Sequence, residues 1–192
     1  MRFSQAPLEA ILKDNQLPIW LSNRPEILVW GALNSDGKTY MNADSLMAIA
    51  LKNSASVRGL PIINPILDLN DRASLSVSRL WALDEDAIRD ASSRYETDAV
   101  LAGRFAKSSS QWTGNMLLLH RGKTNYFSVT AASQNEVASS VIDQVTDYLD
   151  NIYAVAPNLS GDLRFVMLQI NNVVDFNYYA AVVAYLESLP LV

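Results

Sequence analysis

Residues 84–105 read DEDAIRDASSRYETDAVLAGRF and join a helix pattern to the pattern of a buried strand. Four apolar residues in the first part share one face of a helix with about 3.6 residues per turn: Ala87, Ile88, Ala91 and Tyr95. The acidic residues 84–86 stand at the helix start, where the helix dipole and the free N–H groups favour negative charge. Residues 99–105 are apolar without alternation, which is typical of a strand covered on both faces. Such a strand requires layers above and below it, so this stretch predicts a layered α/β domain.

The patterns on either side predict a fold of the α/β (α+β) class, a mixed sheet with packed helices in the order β-α-β-α-β-β-β-α. The strands are expected at residues 27–30, 60–67, 99–105, 115–120 and 126–131, and the helices at 44–57, 84–95 and 133–154. Asp36-Gly37 predicts a tight hairpin turn, because this pair suits positive φ angles. Ser133 and Glu136 form a capping box at the start of the last helix. Residues 68–81 are expected to be loop or short turns.

The helix at 44–57 is expected to be capped by Asp44 and to end at Gly59. Its apolar period predicts that one face is buried in the core. The residues expected on that face are Leu46, Met47, Ala50, Leu51 and Ser54.

Three segments are predicted along the chain: an α/β domain at 1–154, a linker at 155–161 and a partial second βα unit at 162–192. The linker reads VAPNLSG, which is rich in turn residues and has no period. In the second unit a strand at 163–170 precedes a helix that Asp175 caps. The residues of this helix expected to face inward are Phe176, Tyr179, Val183 and Leu186.

A lone strand and helix bury too little apolar surface to be stable alone. We therefore expect that the chain is part of a longer protein, or that its tail docks on the first domain or on another copy. The C-terminal segment is thus a candidate surface for homo-oligomer formation.

Composition excludes several classes of protein. The chain has 192 residues, a formal net charge of −5 and no run of Lys or Arg, which disfavours nucleic-acid binding. No apolar run approaches the ~20 residues of a transmembrane segment, and the first residues lack the apolar core of a signal peptide. The absence of cysteine excludes disulfides, thiol catalysis and thiolate metal sites.

Residues 32–39 match a permissive form of the phosphate-binding loop, in which Gly37, Lys38 and Thr39 would meet the phosphates and magnesium. Residues 40–42 do not resemble the first helical turn that this loop requires. Asp36 would also place a carboxylate beside the bound anion. An ordinary Asp-Gly turn explains the same residues, so phosphate binding is the secondary interpretation.

Carboxylates gather at residues 68–86, where a weak hydrolase hypothesis would use Asp68, Asp71 and Glu85. The simpler interpretation is a solvated loop followed by a helix N-terminus. His120 is the only histidine, so no histidine cluster can bind zinc. It is expected to be an exposed residue at a strand end. No catalytic, metal-binding or cofactor-binding set is predicted.

Tryptophan and arginine are enriched at binding hot spots. A candidate interaction surface therefore comprises Arg24, Trp81, Arg104, Trp112 and Phe176. The alternative is that the tryptophans belong to the core and that the arginines neutralise buried acids or bind carbonyl groups. Trp112 is the best candidate, because it lies beside the serine-rich loop at 107–111.

An ordered set of short motifs resembles the proteobacterial family known as domain of unknown function 2066 over nearly the whole chain. The motifs are Leu17-Pro-Ile-Trp20, Asn23-Arg-Pro25, Ile27-Leu-Val-Trp30, Arg58-Gly-Leu-Pro61, Leu67-Asp-Leu-Asn-Asp71, Ala91-Ser-Ser-Arg-Tyr95, Asp98-Ala-Val-Leu-Ala-Gly-Arg104, Trp112 and residues 176–192. Members tend to be longer at both ends and to begin with a secretion signal. The resemblance thus implies a periplasmic or cell-envelope setting. The family has no assigned catalytic residues, so none can be carried over to this chain. By fold analogy alone, the element order is similar to small α/β domains of envelope assembly and lipoprotein cofactors.

The leading hypothesis is a non-enzymatic interaction or assembly module of the bacterial envelope, with a protein partner and no cofactor. The alternative is a small-ligand or nucleotide-binding domain that uses the loop Asp36–Thr39. The third and weakest hypothesis is the hydrolase described above.

Overall fold

The computed structural model of the chain describes residue 20 and residues 24–154, 168–171, 173 and 175–187. These residues belong to two compact units. One unit is Ser22–Tyr153, and the other includes Trp20 and the described residues from 154 onward. The predicted linker at 155–161 lies outside the described residues, so the predicted domain limits stay a prediction.

The first unit alternates strands and helices. In chain order these are β1 (Ile27–Asn34), β2 (Lys38–Tyr40), α1 (Leu46–Arg58), β3 (Ile62–Ile63), α2 (Leu69–Ser74), α3 (Val77–Ala82), α4 (Glu85–Ser92), β4 (Ala99–Ser108), β5 (Gln111–His120), β6 (Lys123–Ala131) and α5 (Gln134–Tyr153). A short 3₁₀ turn, Ser93–Tyr95, follows α4. The predicted α/β class is confirmed. The structure adds β2 to the predicted order, and it places α2 and α3 in the region that was expected to be loop.

The strands form one mixed sheet in the order β2-β1-β4-β5-β6, and β3 pairs with the first residues of β1. β1 and β4 run parallel over their whole paired length, from Ile27↔Ala99 to Asn34↔Ala106. β4, β5 and β6 form an antiparallel meander. The predicted buried strand, β4, therefore lies inside the sheet, while β6 forms one edge.

One face of the sheet is covered by α2, α3 and α4. The core on this side includes Leu28, Trp30 and Leu117 from the strands, and Leu80 and Ile88 from the helices. The indole N–H of Trp30 donates to Ser92 Oγ at 2.9 Å, so the buried polar atom of the tryptophan has a partner.

The other face is covered by α1 and α5, which pack against each other. Gly114 of β5 allows α5 to approach closely, because a Cβ atom there would lie 3.1 Å from both Phe105 and Val137. The α5 residues that face the sheet are buried, including Val141, Val145 and Leu149.

Local turn chemistry accounts for most element ends. Residues 35–37 form the predicted turn between β1 and β2, and Gly59 ends α1 with a left-handed φ of 64°. The helix cap at the start of α1 is Ser45, one residue later than predicted. The predicted strand at 60–67 is reduced to Ile62–Ile63, because Pro61 and Pro65 have no N–H group for a strand ladder.

The second unit contains helix α6, Phe176–Glu187, which Asp175 caps through the backbone N–H of Tyr178 at 2.9 Å. Phe176 is 78% exposed and Tyr179 is 56% exposed, so the expectation that these residues face inward is wrong. Residues 168–170 are not a strand, and the rest of the predicted strand at 163–170 lies outside the described residues. Within the described ranges, no helix has the length and apolar character that a bilayer crossing requires.

Candidate functional site

Helix α1 carries apolar side chains on two opposite faces. Its inner face, with Met47 and Leu51, is buried. On its outer face Leu46 is 75% exposed, Ile49 is 43% exposed and Val57 is 87% exposed. Apolar residues on both sides of a helix are typical of an element that is covered on both sides. The expectation that Leu46 belongs to the buried face is wrong.

A cavity of about 490 Å³ adjoins this outer face. Its walls are the first two turns of α1, the turn between β4 and β5, and the start of α5. Trp112, which is half-buried, forms part of the wall. We call this cavity and the adjoining outer face of α1, with residues Leu46, Ile49, Asn53, Val57 and Trp112, the α1 groove.

Hydrogen bonds and ion pairs hold the walls of the α1 groove. Arg58, in the last turn of α1, contacts α5 through Asp147 at 2.7 Å and Asp143 at 3.5 Å. The predicted capping box is present at the start of α5: Glu136 N–H donates to Ser133 Oγ at 3.2 Å, and Ser133 Oγ donates to the Glu136 carboxylate at 3.1 Å. These contacts fix the C-terminal end of α1 against α5 and fix the start of α5, which is one wall of the cavity.

The charged side chains in the cavity lining and on α1 itself are basic. Lys107 is the charged residue among those that line the cavity, and no carboxylate lines it within the described chain. The charged residues of α1 are Lys52 and Arg58, and Arg58 is engaged by α5. Lys52 and Lys107 are both exposed. The groove thus carries two exposed lysines beside its apolar residues, in a chain whose net charge is −5.

Two of the predicted interaction residues meet on the opposite side of the sheet. Arg104 Nη1 donates to the carbonyl oxygen of Trp81 at 3.0 Å, and Lys38 Nζ lies 5.3 Å from the centre of the Trp81 ring. Arg104 also lines a cavity of about 390 Å³ together with Leu83 and Tyr126. This site is separate from the α1 groove, because Trp112 lines a different cavity.

The remaining predicted interaction residues lie elsewhere. Arg24 donates to the carbonyl groups of Arg58 and Gly59, where it binds the C-terminal end of α1. Phe176 belongs to α6 in the second unit. The structure therefore does not bring the five predicted residues into one surface.

The loop considered for phosphate binding is a hairpin turn. Gly37 belongs to the turn, and Lys38 and Thr39 are the first residues of β2. The next helix begins only at Leu46. The loop therefore lacks the helix N-terminus on which this kind of phosphate binding depends.

Asp71 is the buried carboxylate of the acidic region. It accepts hydrogen bonds from Leu67 N at 2.8 Å, Arg94 Nη1 at 3.0 Å and the Tyr95 hydroxyl at 2.5 Å. Asp68 accepts two bonds from the same guanidinium, at 2.9 and 3.1 Å, and caps α2 through Asp71 N. The hydrogen bonds from Arg94, and then the one from the Asp71 backbone, lower the pKa of Asp68. Burial raises the pKa of the Tyr95 hydroxyl, and its bond to Asp71 adds to the rise.

Glu85 has different partners from Asp68 and Asp71. Its carboxylate accepts from the Thr124 hydroxyl and from Arg89, both at 2.7 Å, and these bonds lower its pKa. The three carboxylates of the hydrolase hypothesis are thus held by two separate sets of donors. Among the described residues, no group of His, Asp and Glu side chains is placed to hold a metal ion.

His120 is buried, contrary to expectation, although it does end a strand. It is 3% exposed, and its Nε2 lies 2.8 Å from the Tyr153 hydroxyl. Tyr148 packs edge-on against the ring at 6.1 Å. Burial lowers the pKa of His120, and the positive charge of Arg121 lowers it further. His120 therefore fastens the last turns of α5 to the sheet.

In comparisons with known proteins, no family model and no curated protein matches the chain. Several solved structures are similar. Lipoprotein GNA1162 from Neisseria meningitidis is 16% identical with a TM-score of 0.38, and the match covers 66% of this chain and 97% of that chain. TolB from Acinetobacter baumannii is 13% identical with a TM-score of 0.41, over 69% of this chain and 30% of TolB. Protein VC0702 from Vibrio cholerae is 9% identical with a TM-score of 0.31, over 68% and 77% of the two chains.

The outer face of α1 is the feature that the sequence reasoning missed. The signal was present in the sequence. Ile49 and Val57 fall outside the apolar stripe through Met47 and Leu51, at positions where an amphipathic surface helix usually has polar residues. A helix with two apolar faces is typical of an element between two layers. The sequence reasoning singled out Trp112 but not its neighbours on α1.

Proposed function

We propose that the domain at residues 24–154 is a non-enzymatic protein-interaction module of the bacterial cell envelope, and that it binds an amphipathic helix of a partner protein in the α1 groove. The envelope setting rests on the resemblance to domain of unknown function 2066. The observation that supports binding is the exposed apolar face of α1. Large exposed apolar patches on soluble domains mark interaction sites.

The dimensions of the groove suit a helix. Leu46 and Val57 are eleven residues apart, which at about 1.5 Å per residue corresponds to roughly 16 Å, or three helical turns. An amphipathic partner helix of that length would place anchors at i, i+3 or i+4, and i+7 along this stripe. The half-buried indole of Trp112 at the end of the stripe is the residue type most often found at binding hot spots.

The charges favour an acidic partner over a second copy of the chain. Two α1 helices packed together would bring Lys52 and Lys107 of each copy into the same neighbourhood, and like charges at an interface are unfavourable. A partner helix with Asp or Glu on its flanks would instead complement them. The proposal therefore commits to an acidic, amphipathic helix from another protein.

The test is site-specific photo-crosslinking in the native host, with a photoreactive amino acid in place of Ile49. A matched control carries the same group at Asp90, which is exposed on α4. The proposal expects an adduct at position 49 that is absent at position 90. The crosslinked peptide of the partner should read as an amphipathic helix with acidic flanks.

A second variant separates binding from folding. Val57→Glu places a negative charge in the apolar stripe at a fully solvated position, so it should abolish the adduct while the melting temperature stays unchanged. Adducts that are equal at positions 49 and 90, or that map to a second copy of the chain, would overturn the proposal.

A further inference from the structure

Strand β6 leaves one edge of the sheet without a neighbouring strand among the described residues. It meets β5 through a two-residue turn, Arg121-Gly122, whose φ angles of 49° and 74° are those of a type I′ hairpin. In such a hairpin the flanking pair, His120 and Lys123, is hydrogen-bonded, and bonded pairs then recur at every second residue. The backbone groups that point away from β5 are therefore those of Thr124, Tyr126, Ser128 and Thr130.

This edge lacks the features that usually prevent pairing. Exposed edges are normally interrupted by proline, shortened, or protected by charges along the strand. β6 has nine residues and no proline, and its one charged residue, Lys123, stands at its first position. The residues whose backbone groups point outward have small, polar side chains, apart from Tyr126, whose side chain is exposed.

We infer that β6 pairs antiparallel with β6 of a second copy, which makes a two-fold dimer with one continuous sheet. The proposal is independent of the α1 groove and uses a different surface. With Phe127 on the two-fold axis, Tyr126 pairs with Ser128 of the second copy and Thr124 with Thr130. These pairs place residues with outward-pointing backbone groups opposite each other. The N–H and C=O groups of both strands can therefore form hydrogen bonds across the axis.

The charges support a second copy as the occupant. In this register Lys123 of one copy lies opposite Ala131 of the other, next to the start of that copy's α5. Glu136 is held there, because its carboxylate accepts from Ala132 N at 3.3 Å and from Ser133 Oγ at 3.1 Å. Lys123 of each copy therefore lies near Glu136 of the other copy, which gives two equivalent pairs of opposite charge across the axis. The two lysines are about 27 Å apart, at about 3.4 Å per residue, and do not repel each other appreciably.

The first experiment is sedimentation equilibrium of the full chain over a range of concentrations. Ser128→Pro removes an outward-facing N–H group and leaves the bonds to β5 intact. It should weaken dimerisation at least tenfold, whereas Ser128→Ala, which keeps the N–H group, should not. Lys123→Glu should weaken dimerisation without changing the melting temperature of the monomer, measured at a concentration below the dimer dissociation constant. A monomer at all concentrations, or a dimer that survives both Ser128→Pro and Lys123→Glu, would overturn the proposal.

The second experiment uses the absence of cysteine from the chain. The double variant Thr124→Cys/Thr130→Cys should form disulfide-linked dimers under mild oxidation, because each cysteine faces its counterpart across the ladder. The single variant Thr130→Cys has no counterpart in this register and serves as the control. Equal crosslinking of the single and double variants would contradict the register. This readout does not depend on the stability of the proline variant.

Discussion

Replacement of Asp71 tests whether the acidic region is structural. The carboxylate is buried in full, yet it is surrounded by donors: the backbone N–H of Leu67, the hydroxyl of Tyr95 and the guanidinium of Arg94. Asp71→Ala removes the acceptor for all three. Arg94 keeps both of its bonds to Asp68, so its charge is not left unpaired. The loss therefore falls mainly on the two neutral donors.

The expected loss of stability follows from these contacts. A buried polar group that loses its partner costs about 1–3 kcal/mol, so two such groups give at most about 2–6 kcal/mol. A domain of this size has a total free energy of unfolding of about 5–15 kcal/mol. Asp71→Asn keeps one acceptor oxygen and should lose less than Asp71→Ala. Asp68→Ala removes an exposed partner and should have the smallest effect of the three.

The assay is urea denaturation followed by tryptophan fluorescence, in which Trp30 reports on this region because it packs edge-on against Tyr95 at 6.2 Å. For Asp71→Ala the midpoint should fall by about 1–3 M urea at an unchanged slope of about 2 kcal/mol per M. A loss below about 0.5 kcal/mol would refute the reasoning. If Asp71→Ala were more stable than wild type, the carboxylate would instead have a functional role that lowers the stability of the domain.

Three further predictions concern other parts of the domain. Because burial lowers the pKa of His120, its contribution to stability should be complete above the unfolded-state value of about 6.5 and should be lost as the pH falls from there through the folded-state pKa. His120→Gln also loses the packing of the ring, so urea titrations should show a constant offset between the two proteins, and the fall in this pH window should be present in wild type and absent in the variant. Gly103→Ala should lower the free energy of unfolding by about 1–3 kcal/mol in thermal unfolding, because its Cβ would lie 2.9 Å from Met116 Sδ and from Phe105 Cζ. Gly37→Ala is the comparison: no atom lies within 4 Å of its Cβ, so it should show only the strain of its positive φ. Calorimetric titration with a nucleotide and magnesium should give no saturable heat at millimolar ligand, because the residues after Gly37 form a strand; a saturable heat that Lys38→Ala removes would restore the nucleotide-binding hypothesis.

Sequence patterns predicted the parts of the fold that local chemistry controls. The turn at Asp36-Gly37, the end of α1 at Gly59 and the capping box at Ser133 each depend on a few adjacent residues. The buried strand β4 was visible because a run of apolar residues without alternation is typical of one environment only. These signals do not require knowledge of the rest of the chain.

The helices α2 and α3 were missed because each has six residues, too few for a periodic pattern to emerge. They are fixed by their caps, Asp68 and Ser76, and by burial of Leu75 and Leu80 against the sheet. These two segments are therefore helical because they pack against strands that are distant in the sequence.

The burial of His120 and the exposure of Leu46 could not be read from neighbouring residues. His120 is covered by tyrosines from α5, which follow it by 28 and 33 residues, so its environment is a tertiary property. Both faces of α1 are apolar in part, and which of them meets the sheet depends on how the helix packs. The candidate site was therefore predictable only at Trp112.

The occupancy of the α1 groove in the cell is the most direct test of the proposed function. Since the chain has no cysteine, Val57→Cys introduces a single thiol in the groove, and Asp90→Cys introduces one on exposed α4 as the reference. Both variants are treated with a membrane-permeant maleimide, in cells of the native host and after purification. A bound partner predicts that Val57→Cys reacts at least tenfold more slowly in cells than when purified, while Asp90→Cys reacts equally in both. Equal reactivity of Val57→Cys in cells and in the purified protein would contradict the account.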